Sequence, residues 1–268
     1  MSYSRNIFLV VLFFALLSTS KLFGVITYND GKEHVIQNVV NDAILIEHND
    51  FWNKTTSLIV QNSGAINGQV IAYDDSYFEM RDNAYVQDFV GKDDSRSNIY
   101  NGELDFRLEN RSCLDFWGGQ VLSNITLSSS SQLLIHGGTS NGHLYAYDSS
   151  NIQIFGGIFE GYLYSTGNSE ANIYGGTFND EFIAGFDSTI TIHGSNFEVD
   201  GWAAPYGIYE SFHGDAILTG ILANGDSVNT TIQVRDDAQL ILAPIPEPAT
   251  LLLLCLGGLA LRRKRRAK

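Results

Sequence analysis

A 19-residue unit, written four times without a gap between Leu114 and Thr189, limits what this chain can fold into. A fifth unit opens at Ile190, and the whole chain has 268 residues. The first glycine of each unit keeps the same place in the period: Gly118, Gly137, Gly156, Gly175 and Gly194. A fixed period of about 20 residues without insertions is typical of a solenoid, in which each turn packs only against its neighbours.

Apolar residues alternate within each unit, which indicates strands with one side turned inward. Two positions of the repeat are apolar in nearly every unit and are predicted to form the core. The first comprises Phe116, Ile135, Ile154, Ile173 and Ile192, and the second comprises Val121, Phe159, Phe178 and Phe197, with Ser140 as its exception. The glycine pairs, and a second group of turn residues around Asp148 and Asp187, are predicted to form corners.

Short strands joined by such corners predict an all-β fold, a parallel β-helix with coils of about 19 residues. Each coil should rise by about 4.8 Å, the spacing of neighbouring strands. A helical solenoid is the rival architecture, but no unit places apolar residues at i, i+3, i+4 and i+7 over a helix-length stretch. We predict a right-handed coil, because the hexapeptide regularity expected of left-handed solenoids is absent.

Residues 25–243 are predicted to form one solenoid, which we call the passenger, with its regular coils at residues 114–200. Before these coils the period is looser. An Ala-Tyr-Asp stretch that follows Gly68 returns after Gly142, two residues short of four full units. The early coils are therefore expected to vary in length, with the residues before Val35 as a cap or lead-in.

After residue 200 the period fails, and an aromatic-rich stretch follows that contains Trp202, Tyr206, Tyr209 and Phe212. Residues 201–243 are therefore predicted to cap the stack, because the last coil would otherwise expose unpaired strand edges.

Residues 1–24 have the pattern of a secretory signal peptide. Arg5 precedes an apolar run from Ile7 to Leu17, and small residues follow at Ser18, Ser20 and Gly24. The run is too short for a stable membrane span, so export is predicted. A buried N-terminal helix is the structural alternative.

The C-terminal segment, residues 244–268, combines three elements in order. They are the tripeptide Pro246, Glu247 and Pro248, an apolar run at residues 249–261, and the basic cluster Arg262, Arg263, Lys264, Arg265 and Arg266. This order resembles the PEP-CTERM protein-sorting signal. The resemblance implies that the segment holds an exported protein in the inner membrane until an exosortase processes it near the tripeptide.

The physical properties of this segment agree with a transient membrane anchor. A helix over residues 249–261 would span roughly 20 Å, short of the ~30 Å hydrocarbon core. With Ile245, the prolines and snorkelling arginines it can just cross. The positive-inside rule keeps the basic cluster in the cytoplasm. A permanent tail anchor is the alternative.

The passenger is strongly acidic, with eight Lys or Arg against 29 Asp or Glu and a net charge of −21. Between Ser112 and Val234 there is no Lys or Arg. Such a surface should repel nucleic acid and anionic membrane. Because no spaced Asp/Gly nonapeptide of the calcium-binding type is present, we interpret the carboxylates as solvated and predict no metal and no cofactor. The two cysteines lie in different segments, Cys113 in the passenger and Cys255 in the C-terminal apolar run. No disulfide is therefore expected within the exported part.

The position just before the glycines carries a flat ring in every unit. We call this set the ring column: Trp117, His136, Phe155, Tyr174 and His193. By alternation these rings should point outward, one per coil. They could stack against the sugars of a polysaccharide, or they could stack on one another as a structural ladder. His136 and His193 are three coils apart, roughly 14 Å, which is too far to share a metal ion.

Enzyme activity has little support in the sequence. Parallel β-helices include polysaccharide lyases and hydrolases, but such lyases generally rely on Lys or Arg, which the regular coils lack. We therefore predict a non-enzymatic structural or adhesive protein of the cell surface or extracellular matrix, in contact with exopolysaccharide. A β-helix polysaccharide-degrading enzyme is the alternative.

Overall fold

The computed structural model describes residues 24–49, 53–210 and 215–245, and within these ranges it contains strands and turns but no helix. The strands of the described residues, in chain order, are β1 (Val25–Tyr28), β2 (Glu33–Ile36), β3 (Val39–Val40), β4 (Ala43–Ile46), β5 (Ser57–Val60), β6 (Ala65–Ala72), β7 (Tyr77–Met80), β8 (Tyr85–Gly91), β9 (Arg96–Ile99), β10 (Glu103–Leu108), β11 (Cys113–Phe116), β12 (Gln120–Val121), β13 (Ile125–Leu127), β14 (Gln132–Ile135), β15 (Thr139–Ser140), β16 (Leu144–Ala146), β17 (Asn151–Ile154), β18 (Ile158–Phe159), β19 (Leu163–Ser165), β20 (Glu170–Ile173), β21 (Thr177–Phe178), β22 (Phe182–Ala184), β23 (Thr189–Val199), β24 (Trp202–Ala203), β25 (Gly207–Tyr209), β26 (Ala216–Leu222), β27 (Ser227–Val234) and β28 (Gln239–Pro244).

The coils stack into three faces, and each face is a parallel ladder of strands. Face A contains β2, β5, β7, β9, β11, β14, β17, β20, β23 and β28. Face B contains β3, β6, β8, β10, β12, β15, β18 and β21. Face C contains β1, β4, β6, β8, β10, β13, β16, β19, β22 and β27. The predicted all-β solenoid is thus confirmed, with about nine coils of roughly 19 residues. The right-handed sense stays a prediction, and it is the usual hand of crossovers between parallel strands.

The strand register shows how coil length varies along the chain. From Cys113 to Thr189 each step of face A takes 19 residues, whereas the step from Arg96 to Cys113 takes 17. The register also places Ala72 and Ala146, the alanines of the two Ala-Tyr-Asp stretches, in one position of face C, four coils apart. The expectation that early coils differ in length is therefore confirmed.

The core runs along the axis of the solenoid, inside all three faces. Every residue of the two predicted core positions is buried, including Ser140. The strand alternation explains this, because successive side chains point to opposite sides and only one set faces the interior. The largest fully buried side chains include Phe78, Phe89 and Phe106, in the early coils.

A column of small hydroxyl residues, which the sequence analysis did not single out, lies just before face A. Its members are all 0–1% exposed: Thr56, Ser76, Ser95, Ser112, Ser131, Ser150, Ser169 and Ser188. In the turns that end at Ser112, Ser131 and Ser169, the serine hydroxyl donates a hydrogen bond of 2.9 Å to the carbonyl oxygen three residues earlier. Serine is small enough for this tight corner and satisfies a carbonyl there.

The two ends of the solenoid differ. The residues before Val35, predicted to be a cap or lead-in, are part of the stack, because β1 pairs in parallel with β4. At the other end, β25 pairs antiparallel with β28, and β26 pairs antiparallel with β27. These pairings cover the last strands of faces A and C, as a cap should. Trp202 is nevertheless 81% exposed, so this ring packs little against the stack.

Candidate functional site

The ring column lies at the end of the face A strands, next to a corner between faces A and B that we call the glycine corner. Neighbouring rings are nearly parallel, with interplanar angles of 7–12°. The distances between the centroids of successive rings, in chain order from the Trp117–His136 pair to the Tyr174–His193 pair, are 3.8, 5.3, 5.1 and 4.3 Å. The column is therefore one continuous stack of rings along the solenoid.

Tyr100 extends the stack by one ring. Its centroid lies 6.5 Å from that of Trp117, and the two planes differ by 17°. Counting back 19 residues from Trp117 reaches Asn98, so a strict 19-residue period does not assign Tyr100 to the ring column. Aligning the inward neighbours Ile99 and Phe116, which pair in face A, would have found it.

This stacking decides how the inner rings can be used. Phe155 has His136 on one side and Tyr174 on the other, and Tyr174 lies between Phe155 and His193. At centroid distances of 4.3–5.3 Å no sugar ring fits between them. The faces of these rings therefore stabilise neighbouring coils, as cross-strand aromatic pairs do. Only their edges are left for solvent or a partner.

The turn between β26 and β27 covers the C-terminal half of the glycine corner. The Asn224 backbone N–H donates to the Tyr174 carbonyl oxygen at 2.9 Å. The Asn224 side-chain amide donates to the Phe155 carbonyl oxygen at 3.3 Å, and the Gly176 N–H donates to the Asp226 carboxylate at 2.8 Å. A Cβ at Gly175 would overlap the Asn224 amide. Glycine is thus needed here for close approach of the turn.

His193 ends the ring column under the cap. Its ring stacks on Tyr174, and burial lowers the pKa of its imidazole because desolvation disfavours the charged form. No group of three or more His, Cys, Asp or Glu side chains in the described ranges could hold a metal ion. Cys113 is a free thiol, half-buried on face A.

The N-terminal half of the glycine corner is open. Tyr100 and Trp117 are 45% and 48% exposed. Beside them lies a groove of about 390 Å³, which we call the corner groove, lined by Asn83, Ala84, Tyr85, Asn101, Gly102, Glu103, Gly119 and Gln120. Gly102 has a φ of 119°, and a Cβ there would overlap the Ala84 carbonyl oxygen. This glycine lets the chain turn sharply and shapes the floor of the groove.

A second aromatic group, absent from the sequence predictions, lies near face C: His143, Tyr145, Tyr147, Tyr162 and Tyr164. His143 stacks on Tyr162 at 3.8 Å, and the Tyr145 and Tyr162 hydroxyls are 2.7 Å apart. This hydrogen bond raises the pKa of Tyr162 to about 12. The repeated Leu-Tyr pairs at Leu144 and Leu163 were the available signal.

Residues 138–142 have the spacing Gly-x-Ser-x-Gly, which nucleophilic serines of many hydrolases share. In such enzymes the serine is exposed on a turn between a strand and a helix. Ser140 instead lies in β15 and is 3% exposed, with its hydroxyl 3.3 Å from the Gly142 carbonyl oxygen. This serine fills the core position of its coil and is not placed as a nucleophile.

The predicted sorting residues, Pro246 to Pro248 and Arg262 to Arg266, lie outside the described residues, as do the apolar run and residues 1–23 of the predicted signal peptide. None of the described residues form a helix that is long and apolar enough to cross a membrane.

Comparison with known protein families identifies the sorting signal from the sequence alone. Residues 244–266 match the PEP-CTERM protein-sorting motif, a range that contains the tripeptide and the basic cluster. No curated protein and no solved structure matches the chain. The motif implies export, a membrane-anchored sorting intermediate and recognition by an exosortase. The chain therefore combines a PEP-CTERM protein-sorting motif at residues 244–266 with a repetitive β-solenoid passenger.

Proposed function

We propose that the passenger is a non-enzymatic structural or adhesive element of the cell surface or extracellular matrix, in contact with exopolysaccharide. The observation that carries this proposal is the continuous rod with an aromatic corner that is open over part of its length. About nine coils at ~4.8 Å each make a rod on the order of 40 Å long. A rigid rod can present a repeated surface to an extended polymer.

The charges of the passenger favour a role without catalysis. A glycosidase needs a general acid with a raised pKa. Asp30 and Asp94 are unsuited to this role, because hydrogen bonds from His34 and Arg111 lower the pKa of their carboxyl groups. The absence of Lys and Arg between Ser112 and Val234 also leaves the regular coils without the cation that a polyuronate lyase uses.

Affinity electrophoresis tests the proposal. The full chain, purified in a detergent without a sugar headgroup, is run through native gels that contain a neutral glucan or alginate. Retarded migration without new reducing ends in the polymer is the expected result. Release of reducing ends or of unsaturated uronate would replace the proposal with the enzyme alternative. Migration unchanged by every polymer would refute the polysaccharide contact.

A further inference from the structure

We propose that the open half of the glycine corner, formed by Tyr100, Trp117 and the corner groove, binds a segment of neutral polysaccharide. This inference rests on the proposed function and assigns to it a site and a sugar class. It differs from stacking along the whole ring column, because only the N-terminal end of that column combines exposed rings with a groove.

The two halves of the corner differ in what covers them. At Phe155 and Tyr174 the turn between β26 and β27 binds the backbone, and neighbouring rings occupy both ring faces. Tyr100 and Trp117 are about half exposed. His136 covers one face of Trp117 at 3.8 Å, but on the other side the centroid of Tyr100 lies 6.5 Å away, the largest distance in the column, and no ring of the column precedes Tyr100. These rings therefore offer apolar contact area to a sugar, whose C–H faces pack well on aromatic rings.

The corner groove supplies polar groups on the other side of the same corner. Glu103 and Gln120 come three residues after Tyr100 and Trp117, and they are paired neighbours on face B. The side chains of Asn101, Glu103 and Gln120 have no hydrogen-bond partner within the part of the chain that the structure describes. Amide groups both donate and accept, and a carboxylate accepts, so together they match the hydroxyl groups of a sugar.

Local charge favours a neutral sugar over a uronate. Glu103 brings a carboxylate into the groove, and the passenger as a whole carries a net charge of −21. The nearest cation in the ring position is Arg81, one coil before Tyr100, and its guanidinium is paired with Glu79 at 3.2 Å. An anionic polymer would therefore meet the carboxylate of Glu103 in the groove, while the cation in the ring position is already paired.

The test compares single-residue variants of the full chain in the affinity gels described above, with hydroxyethyl cellulose as neutral polymer and alginate as polyuronate. Trp117→Ala and Gln120→Ala should each weaken retardation by hydroxyethyl cellulose, Trp117→Ala by roughly tenfold in affinity. Trp202→Ala removes an exposed tryptophan outside the corner and is the matched control, for which we expect unchanged binding. A thermal melt of each variant accompanies the gels.

The outcomes separate the site from the proposed function. If the unmodified protein binds neutral polymer and both corner variants bind equally well, the site is wrong while the function stands. If the unmodified protein binds no polymer, both are wrong. Stronger retardation by alginate than by hydroxyethyl cellulose would overturn the sugar class. Because Gln120 lies on the surface side of a two-residue strand, its variant keeps the test valid even if Trp117→Ala loosens the ring column.

Discussion

Replacing Ile154 with Asp should unfold the regular coils. Ile154 is 0% exposed and pairs in face A with Ile135 in the coil before and Ile173 in the coil after. Losing the buried side chain costs about 2–3 kcal/mol, and an unpaired carboxylate in the same place costs several kcal/mol more. This sum is comparable with the entire stability of an ordinary domain, about 5–15 kcal/mol.

The position of Ile154 in the stack adds to the effect. In a solenoid each coil is stabilised by its two neighbours, so one unfolded coil separates the halves on either side. Ile154→Val keeps an apolar side chain and should cost only about 0.5–1.5 kcal/mol. Ser149→Asp adds the same charge at an exposed corner of the same coil and should change stability by about 0.5 kcal/mol or less.

Thermal melts followed by far-UV circular dichroism measure these differences. We expect no cooperative transition, or one displaced far below the unmodified protein, for Ile154→Asp, and a nearly unchanged midpoint for Ser149→Asp. Equal midpoints for the two aspartate variants would refute the assignment of Ile154 to the core and, with it, the register of the coils.

Three further predictions concern sorting, the ring column and pH. Deleting residues 246–268 should release the protein from the membrane fraction, because the tripeptide, apolar run and basic cluster are removed together; a truncated chain that still sediments with membranes would contradict the motif's role. The double change Phe155→Ala and Tyr174→Ala should lower the melting temperature by several degrees, because it removes two stacked rings, and should leave the affinity for neutral polysaccharide intact. Lost affinity with an unchanged melting temperature would instead show that the polysaccharide binds at Phe155 and Tyr174. Because burial depresses the pKa of His193 below its ordinary 6.5, the folded state loses stability as pH falls from 6.5 through that lowered pKa; urea melts of His193→Phe should show a weaker pH dependence in this range than the unmodified protein.

The surroundings of the ring column change along its length. Its C-terminal part is closed by the cap and by ring-on-ring stacking, so it ties neighbouring coils together. Its N-terminal part, at Tyr100 and Trp117, is open beside the corner groove. The structural-ladder interpretation therefore applies to the C-terminal coils, and the sugar contact that we propose is confined to Tyr100 and Trp117.

The repeat alone was enough to predict the solenoid and its core. A strict 19-residue period with alternating apolar positions leaves one way to bury those positions in every coil, and Ile154 and Phe159 are buried as expected. The sorting signal was likewise readable, because its three elements are contiguous in the chain and depend on no tertiary contact.

What the period could not show depended on contacts between distant residues. Tyr100 joins the ring column because a 17-residue coil, set by the pairing of Arg96 with Cys113, places it in register with Trp117. Asn224 covers Phe155 from 69 residues away, through a hairpin that follows no repeat. Which rings are covered and which are open is therefore decided by tertiary structure, because exposure at one corner depends on what the rest of the chain packs against it.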